Sequence, residues 1–333
     1  MFTNRMIRNL LVPVVLEQIL NSIMGTADTM MVSNVGSAAL SAVSLVDSIN
    51  VLLIQAFSAL AAGGAIVCAQ YIGQRNYEKA NMSARQVLFI ITAISVVVSA
   101  VCLIFQKPLL RLIFGAVDAD VMRASETYFF FTALSFPFIA AYDSAASIFR
   151  AQENTKGPMT ISMISNIMNI GGNAVLIWVF HLGVAGAAIS TLVSRIFCAV
   201  VVLWQLRKDR QPVVVKDYLK IRPDWSMIGR ILGLGIPSGI ENSMFQLGKL
   251  AIQSTVSTLG TAAIAAQAMT NILENLNGIA AIGVGVGLMT IVGQCLGAGR
   301  KDEAVYYIKK LCVIAEIVII VSCLTVYALA RPV

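Results

Sequence analysis

The chain has 333 residues, 58% of them hydrophobic and only 12% charged, with a net charge of +7 and a mean hydropathy of +0.81. A water-soluble domain of this length needs far more charged surface, so the composition excludes one. Continuous apolar runs such as IITAISVVVSAVCLIF (90–105) exclude a barrel of alternating strands as well. An all-α, polytopic membrane protein is left.

Nine spanning segments are expected in chain order, at 7–35, 47–72, 87–106, 126–149, 158–180, 184–205, 228–258, 271–296 and 309–330. The first carries Glu17 and Asp28 and has no small-residue cleavage site, so it reads as a spanning helix rather than a signal peptide. GQRNYEK (73–79) separates the second and third, Pro158 opens the fifth in its first turn, and HLG (181–183) turns tightly into the sixth. The longest polar stretch, 206–227, holds Arg207, Lys208, Arg210, Lys216, Lys220 and Arg222. Six cysteines (Cys68, Cys102, Cys198, Cys295, Cys312, Cys323) lie in apolar segments without CxxC spacing, and His181 is the only histidine, so no metal site is expected. With no nucleophile–base set or cofactor motif, no enzyme and no cofactor are expected.

Loops after the second, fourth, sixth and eighth segments hold most basic residues, including Arg75, Lys79, Arg150, Lys156, Arg300 and Lys301. Those after the first, fifth and seventh hold none. The positive-inside rule then puts the N-terminus, with Arg5 and Arg8, in the cytoplasm of a cell (plasma or inner) membrane. A basic inner face beside anionic lipid accounts for the net charge, so the bilayer is the expected partner and nucleic acid is not.

An internal repeat organises the chain. Shifted by 224 residues, 7–86 overlays 231–310 without a gap and with 17 identities over 80 positions. Pro13 meets Pro237, Glu17 meets Glu241, Gly36 meets Gly260, Gly63 meets Gly287, Gln70 meets Gln294 and Gly73 meets Gly297. The seventh segment therefore restarts the pattern of the first in the same direction, a parallel repeat of six helices related by an axis along the membrane normal. The expected division is an N-terminal lobe at 1–205, a cytoplasmic linker at 206–227 and a partial C-terminal lobe at 228–333. Ending on Arg331, Pro332 and Val333 after three of six helices, the chain reads as truncated.

Ionisable groups inside a bilayer are costly and mark function by default. The first segment places Glu17, Asn21 and Asp28 along one stripe, with Pro13 favouring a bend. The fifth adds Ser162, Asn166, Asn169 and Asn173 at helical spacing, and the sixth adds Thr191. Counted from the nearest external turn, Asp28, Asn173 and Thr191 all lie about 10–12 Å deep. A carboxylate, an amide and a hydroxyl at one depth, with Asn169 a turn deeper, suit a proton or a small cation. Ser162 and Asn166 read as interhelical glue. Asp143 and Arg195 are expected to pair, and Lys249 either neutralises Glu241, Glu274 or Glu316 or faces substrate.

ADTMMVSNVG (27–36), AQYIG (69–73), FRA (149–151) with KGPM (156–159), LGVAGAA (182–188) and GQCLGAG (293–299) together resemble the multidrug and toxic compound extrusion (MATE) transporters over the whole chain. The resemblance implies twelve helices in two bundles around a central cleft, with alternating access driven by protons or sodium. It implies a cation site on Asp28, Asn169 and Thr191, a helix-1 bend at Pro13, and Glu241 as a possible coupling residue of the second lobe. Where many relatives have a second Asp after the Asn-Ile of the fifth segment, this chain has Asn173, leaving one carboxylate from that pair. The function expected is efflux of organic, cationic or amphipathic small molecules by a monomeric antiporter. The alternatives are a lipid-linked saccharide flippase, which needs cleft arginines, and a non-transporting membrane scaffold.

Overall fold

The computed structural model describes residues 2–114, 118–208, 211–216, 218, 222–257 and 261–329. Ten α-helices follow one another: α1 (Asn4–Ser33), α2 (Ser37–Gly73), α3 (Tyr77–Ile104), α4 (Gln106–Phe114), α5 (Ala119–Ala151), α6 (Lys156–Ala174), α7 (Gly183–Leu206), α8 (Trp225–Ser257), α9 (Thr261–Gly297) and α10 (Lys301–Leu329). All but the nine-residue α4 correspond to the nine expected segments. Among the described residues, six are long and apolar enough to cross a membrane, or seven if the two halves of bent α5 form one span. In α8, Arg230, Glu241 and Lys249 interrupt the apolar sequence. Arg210, Lys220, Gly260 and the chain end at Arg331, Pro332 and Val333 lie outside the described residues.

Three features depart from the expected segments. Helix α4 is short and amphipathic, with Leu110 buried. Helix α6 continues into a π-helical turn at Val175–Val179. Helix α5 bends by 42° between Leu134 and Phe136.

The bend in α5 has a local chemical cause. Pro137 lacks an N–H, so the carbonyl of Ala133 loses its helical partner. Ser99 of α3 fills the gap, its hydroxyl donating to that carbonyl at 2.7 Å. Pro13 does the same to Asn9 in α1, where Thr155 donates to the freed carbonyl at 3.2 Å. Both helices run as one element through their proline, and the bend of 42° lies in α5.

The repeat is visible in the helix boundaries. Both ends of α2 and α9, and the starts of α3 and α10, are displaced by 224 residues. Contacts between the halves repeat in the same way. A Cβ on Gly73 would strike the backbone of Gln294, and one on Gly297 would strike the backbone of Gln70. Gly63 packs on Ile231 and Gly235, while its counterpart Gly287 packs on Leu10 and Leu11. These are reciprocal pairs, as a local two-fold requires.

The segments that precede the two halves are also placed reciprocally. Before α8, the carbonyl of Arg222 and the N–H of Asp224 bond the Gln86 side chain of α3, at 2.7 and 3.2 Å. Before α1, Phe2 exchanges two hydrogen bonds with the Tyr307 hydroxyl of α10, at 2.8 and 2.9 Å, and stacks edge-on against its ring. The linker is fastened too: Val213 and Val215 are fully buried, and the N–H groups of Val213 and Val214 donate to Gln152 and Asn81.

Candidate functional site

The polar stripe of α1 is matched side chain by side chain by its neighbours. Near the N-terminal end, Glu17 accepts two 3.1 Å bonds from Arg150 Nη2 and one from the Tyr142 hydroxyl, also 3.1 Å. The Glu17 side chain is 3% exposed and that of Arg150 18%. Arg150 read as a loop charge in the sequence. It lies instead inside the last turn of α5, where Glu17 neutralises it. Its carbonyl, and that of Ala151, accept from Thr290 and Gln294 of α9, at 3.1 and 2.9 Å.

One turn on, Asn21 accepts from Ser162 and Asn166 of α6, both at 3.0 Å. Two turns further, Asn173 Nδ2 donates to Asp28 Oδ1 at 2.6 Å. Asn169 and Asn173 are each 1% exposed. With its oxygen toward Asp28, Asn169 donates to Thr191 Oγ1 at 3.3 Å. Turned over, its nitrogen reaches Asp28 Oδ1 at 2.8 Å and Oδ2 at 3.2 Å, while its oxygen accepts from Thr191 N at 3.3 Å. The second arrangement satisfies both ends of the amide in the absence of a cation. The first turns a carbonyl toward the carboxylate, as a cation between them would require. Asp28, Asn169, Asn173 and Thr191 thus meet at the junction of α1, α6 and α7.

Beside them opens a cavity of about 80 Å³, lined by Gly25, Asp28, Thr29, Val32, Val43, Asp47, Tyr128, Asn173, Ala187 and Thr191. It has room for several waters or a partly hydrated ion. Asp47 and Tyr128 were not singled out in the sequence. The second segment was drawn as starting at residue 47, which put Asp47 at its edge. Helix α2 begins ten residues earlier, at Ser37, so Asp47 lies well inside it.

Other expected groupings fare differently. Lys249 pairs with Glu274 of α9 at 2.9 Å. Glu241 is exposed and stands outside that pair. Asp143 and Arg195 form no ion pair within 4 Å among the described residues. Arg195 donates instead to Ser135, at the bend of α5, at 2.7 Å.

The MatE family model matches residues 13–175 and 237–333. The chain belongs to the MatE family. It is 27% identical over 302 residues to the probable multidrug resistance protein YoeA of Bacillus subtilis, covering 88% of this chain and 64% of that protein. It is 24% identical over 308 residues to the probable multidrug resistance protein NorM of Thermotoga maritima, covering 90% and 65%. The chain therefore spans about two thirds of the length of these curated MatE relatives. Among solved structures, a MATE in the straight conformation superposes with a TM-score of 0.87 at 19% identity, covering 98% of this chain and 72% of that one. A MOP-superfamily transporter from Pyrococcus furiosus gives 0.85 at 20% identity, covering 94% and 70%. The likeness fixes the fold as that of MatE proteins, multi-pass and helical, with the internal repeat placed as in the sequence.

Proposed function

We propose that the chain forms the first lobe and part of the second lobe of a secondary active exporter of organic small molecules, coupled to a proton or sodium gradient at Asp28. In this reading 1–205 is the N-terminal lobe, 206–227 a cytoplasmic linker and 228–333 the partial C-terminal lobe of a monomer with its N-terminus inside. The carrying observation is the Asp28–Asn173 bond at 2.6 Å, a carboxylate held by amides inside the membrane-spanning part without an ion-paired base. An amide alone would serve as glue, whereas a carboxylate also takes up a positive charge.

Asn169, Asn173 and Thr191 serve as the neutral partners. Loading or discharging Asp28 changes which Asn169 orientation is favoured, and with it the fit of α1 against α6 and α7. That differential interaction is what lets a cation shift the balance between two lobe arrangements. Relatives named as multidrug resistance proteins support organic substrates. The flippase reading is disfavoured because Arg195 is committed to Ser135 and Arg150 to Glu17.

The test is dye efflux from liposomes containing the complete exporter of which this chain is a part, under separate proton and sodium gradients. Gradient-driven efflux that disappears in Asp28→Asn supports the reading. Efflux at the wild-type level in that variant reduces Asp28 to interhelical glue.

A further inference from the structure

The 224-residue repeat gives α1 and α2 counterparts in α8 and α9, and at the cavity positions the chemistry is exchanged. Ile252 stands where Asp28 does and Asn271 where Asp47 does, so neither first-lobe carboxylate is repeated. Lys249 stands in place of Gly25, which lines the first-lobe cavity. Glu274 stands in place of Asn50, which donates to Asp47 at 3.2 Å. The register holds here: the C-terminal ends of α1 and α8, and both ends of α2 and α9, are 224 residues apart. One acid and one base have thus replaced two acids at matching positions of matching helices.

The new pair is closed. Lys249 Nζ lies 2.9 Å from Glu274 Oε1 and 5.1 Å from the centre of the Phe245 ring, one turn earlier on α8. In the first lobe, a Cβ on Gly25 would meet no heavy atom within 4 Å. In the second, a long side chain takes that position and reaches across to α9. A carboxylate in a membrane-spanning helix needs positive charge close by, from a proton, a metal ion or a basic side chain. Glu274 has the last of these. A tethered ammonium acts at an effective concentration on the order of millimolar or above and cannot diffuse away. A free ion would have to displace it and leave a second charge stranded. We propose that Lys249 is a built-in counter-ion of Glu274, filling the place an exchangeable cation would otherwise take in the second lobe, so that the gradient is read in the first lobe alone. This rests on the reading of Asp28 as the coupling residue.

The deciding experiment uses the complete exporter in an Asp28→Asn background, which silences the first-lobe carboxylate. Removing the tethered charge with Lys249→Met makes Glu274 take up a free cation. Binding of radioactive sodium detects a sodium ion, and the infrared band of a protonated carboxyl group detects a proton. The gain disappears when Glu274→Gln is added, and it does not arise in Lys249→Arg, which keeps the charge. Uptake of neither ion by the Lys249→Met protein overturns the inference, and so does Glu274-dependent uptake with Lys249 in place. A second measurement remains readable if Lys249→Met fails to fold. With Asp28 intact, the neutral pair Lys249→Met/Glu274→Gln keeps gradient-driven dye efflux within about threefold of wild type, because replacing both members of an ion pair strands no charge. Loss of gradient dependence in that double variant overturns the inference. Wild-type efflux in Asp28→Asn alone overturns the coupling reading instead, and cation capture by Glu274 is then judged separately.

Discussion

Ala69 of α2 and Gly293 of α9 are counterparts under the 224-residue repeat, and they face one another: a Cβ on Gly293 would lie 2.9 Å from that of Ala69. The local two-fold passes between them, and the reciprocal contacts of Gly73 and Gly297 flank it. The halves of the molecule are therefore held by backbone-to-backbone approach at this end, which small residues permit.

A side chain at Gly297 would meet the backbone of Gln70, which cannot rotate away. Gly297→Val is expected to lower stability by about 1–3 kcal/mol, the usual cost of overpacking. It is also expected to lengthen the distance between spin labels placed at Glu78 and Asp302, exposed counterparts near the helix ends. Thermal unfolding and a double electron–electron resonance measurement test the two parts.

Glu17 and Arg150 form a buried, doubly bonded pair. Arg150→Met strands the Glu17 carboxylate and is expected to destabilise by about 3–5 kcal/mol, whereas adding Glu17→Gln recovers much of that loss. A double-mutant cycle by thermal or denaturant unfolding measures the coupling. Additive losses would show that the pair contributes nothing as a unit.

Thr155 supplies the donor that Pro13 removes from Asn9. Thr155→Val is expected to cost about 1–3 kcal/mol by leaving that carbonyl without a partner. In a Pro13→Ala background the restored N–H takes over, and the same change becomes nearly neutral. Equal effects in both backgrounds would disprove the compensation.

Sidedness is tested with single cysteines in a cysteine-free background. Lys208→Cys, after α7, is expected to react with an impermeant maleimide only from the cytoplasm, and Ser37→Cys, between α1 and α2, only from outside. Reaction of both from one side breaks the orientation.

Much of the architecture was legible because apolar runs and an ungapped repeat are properties of the chain itself. The Asp28, Asn173 and Thr191 grouping, with Asn169 a turn deeper, was legible for a related reason: Val35, His181 and Gly183 give fixed points from which helix rise sets depth. Asp47 was not, since a carboxylate beside a polar stretch resembles a helix end until the true start at Ser37 is known. Arg150 was mistaken for a loop charge because its partner, Glu17, is 133 residues away. The bend in α5 could be suspected from Pro137, by the same argument that was made for Pro13. The sequence shows which carbonyl loses its donor, not which neighbour replaces it.

The pairing of Phe2 with Tyr307 has a consequence for biosynthesis. The two residues are 305 positions apart, so one of the first residues made finds its partner only after α10 has emerged. At ordinary elongation rates of about 5–20 residues per second, that wait lasts roughly 15–60 s. During that interval the N-terminal strap is free while α1 to α7 are inserted and packed. Its docking is therefore a late event of assembly, and truncation before Tyr307 leaves the strap without its partner however well the earlier helices fold.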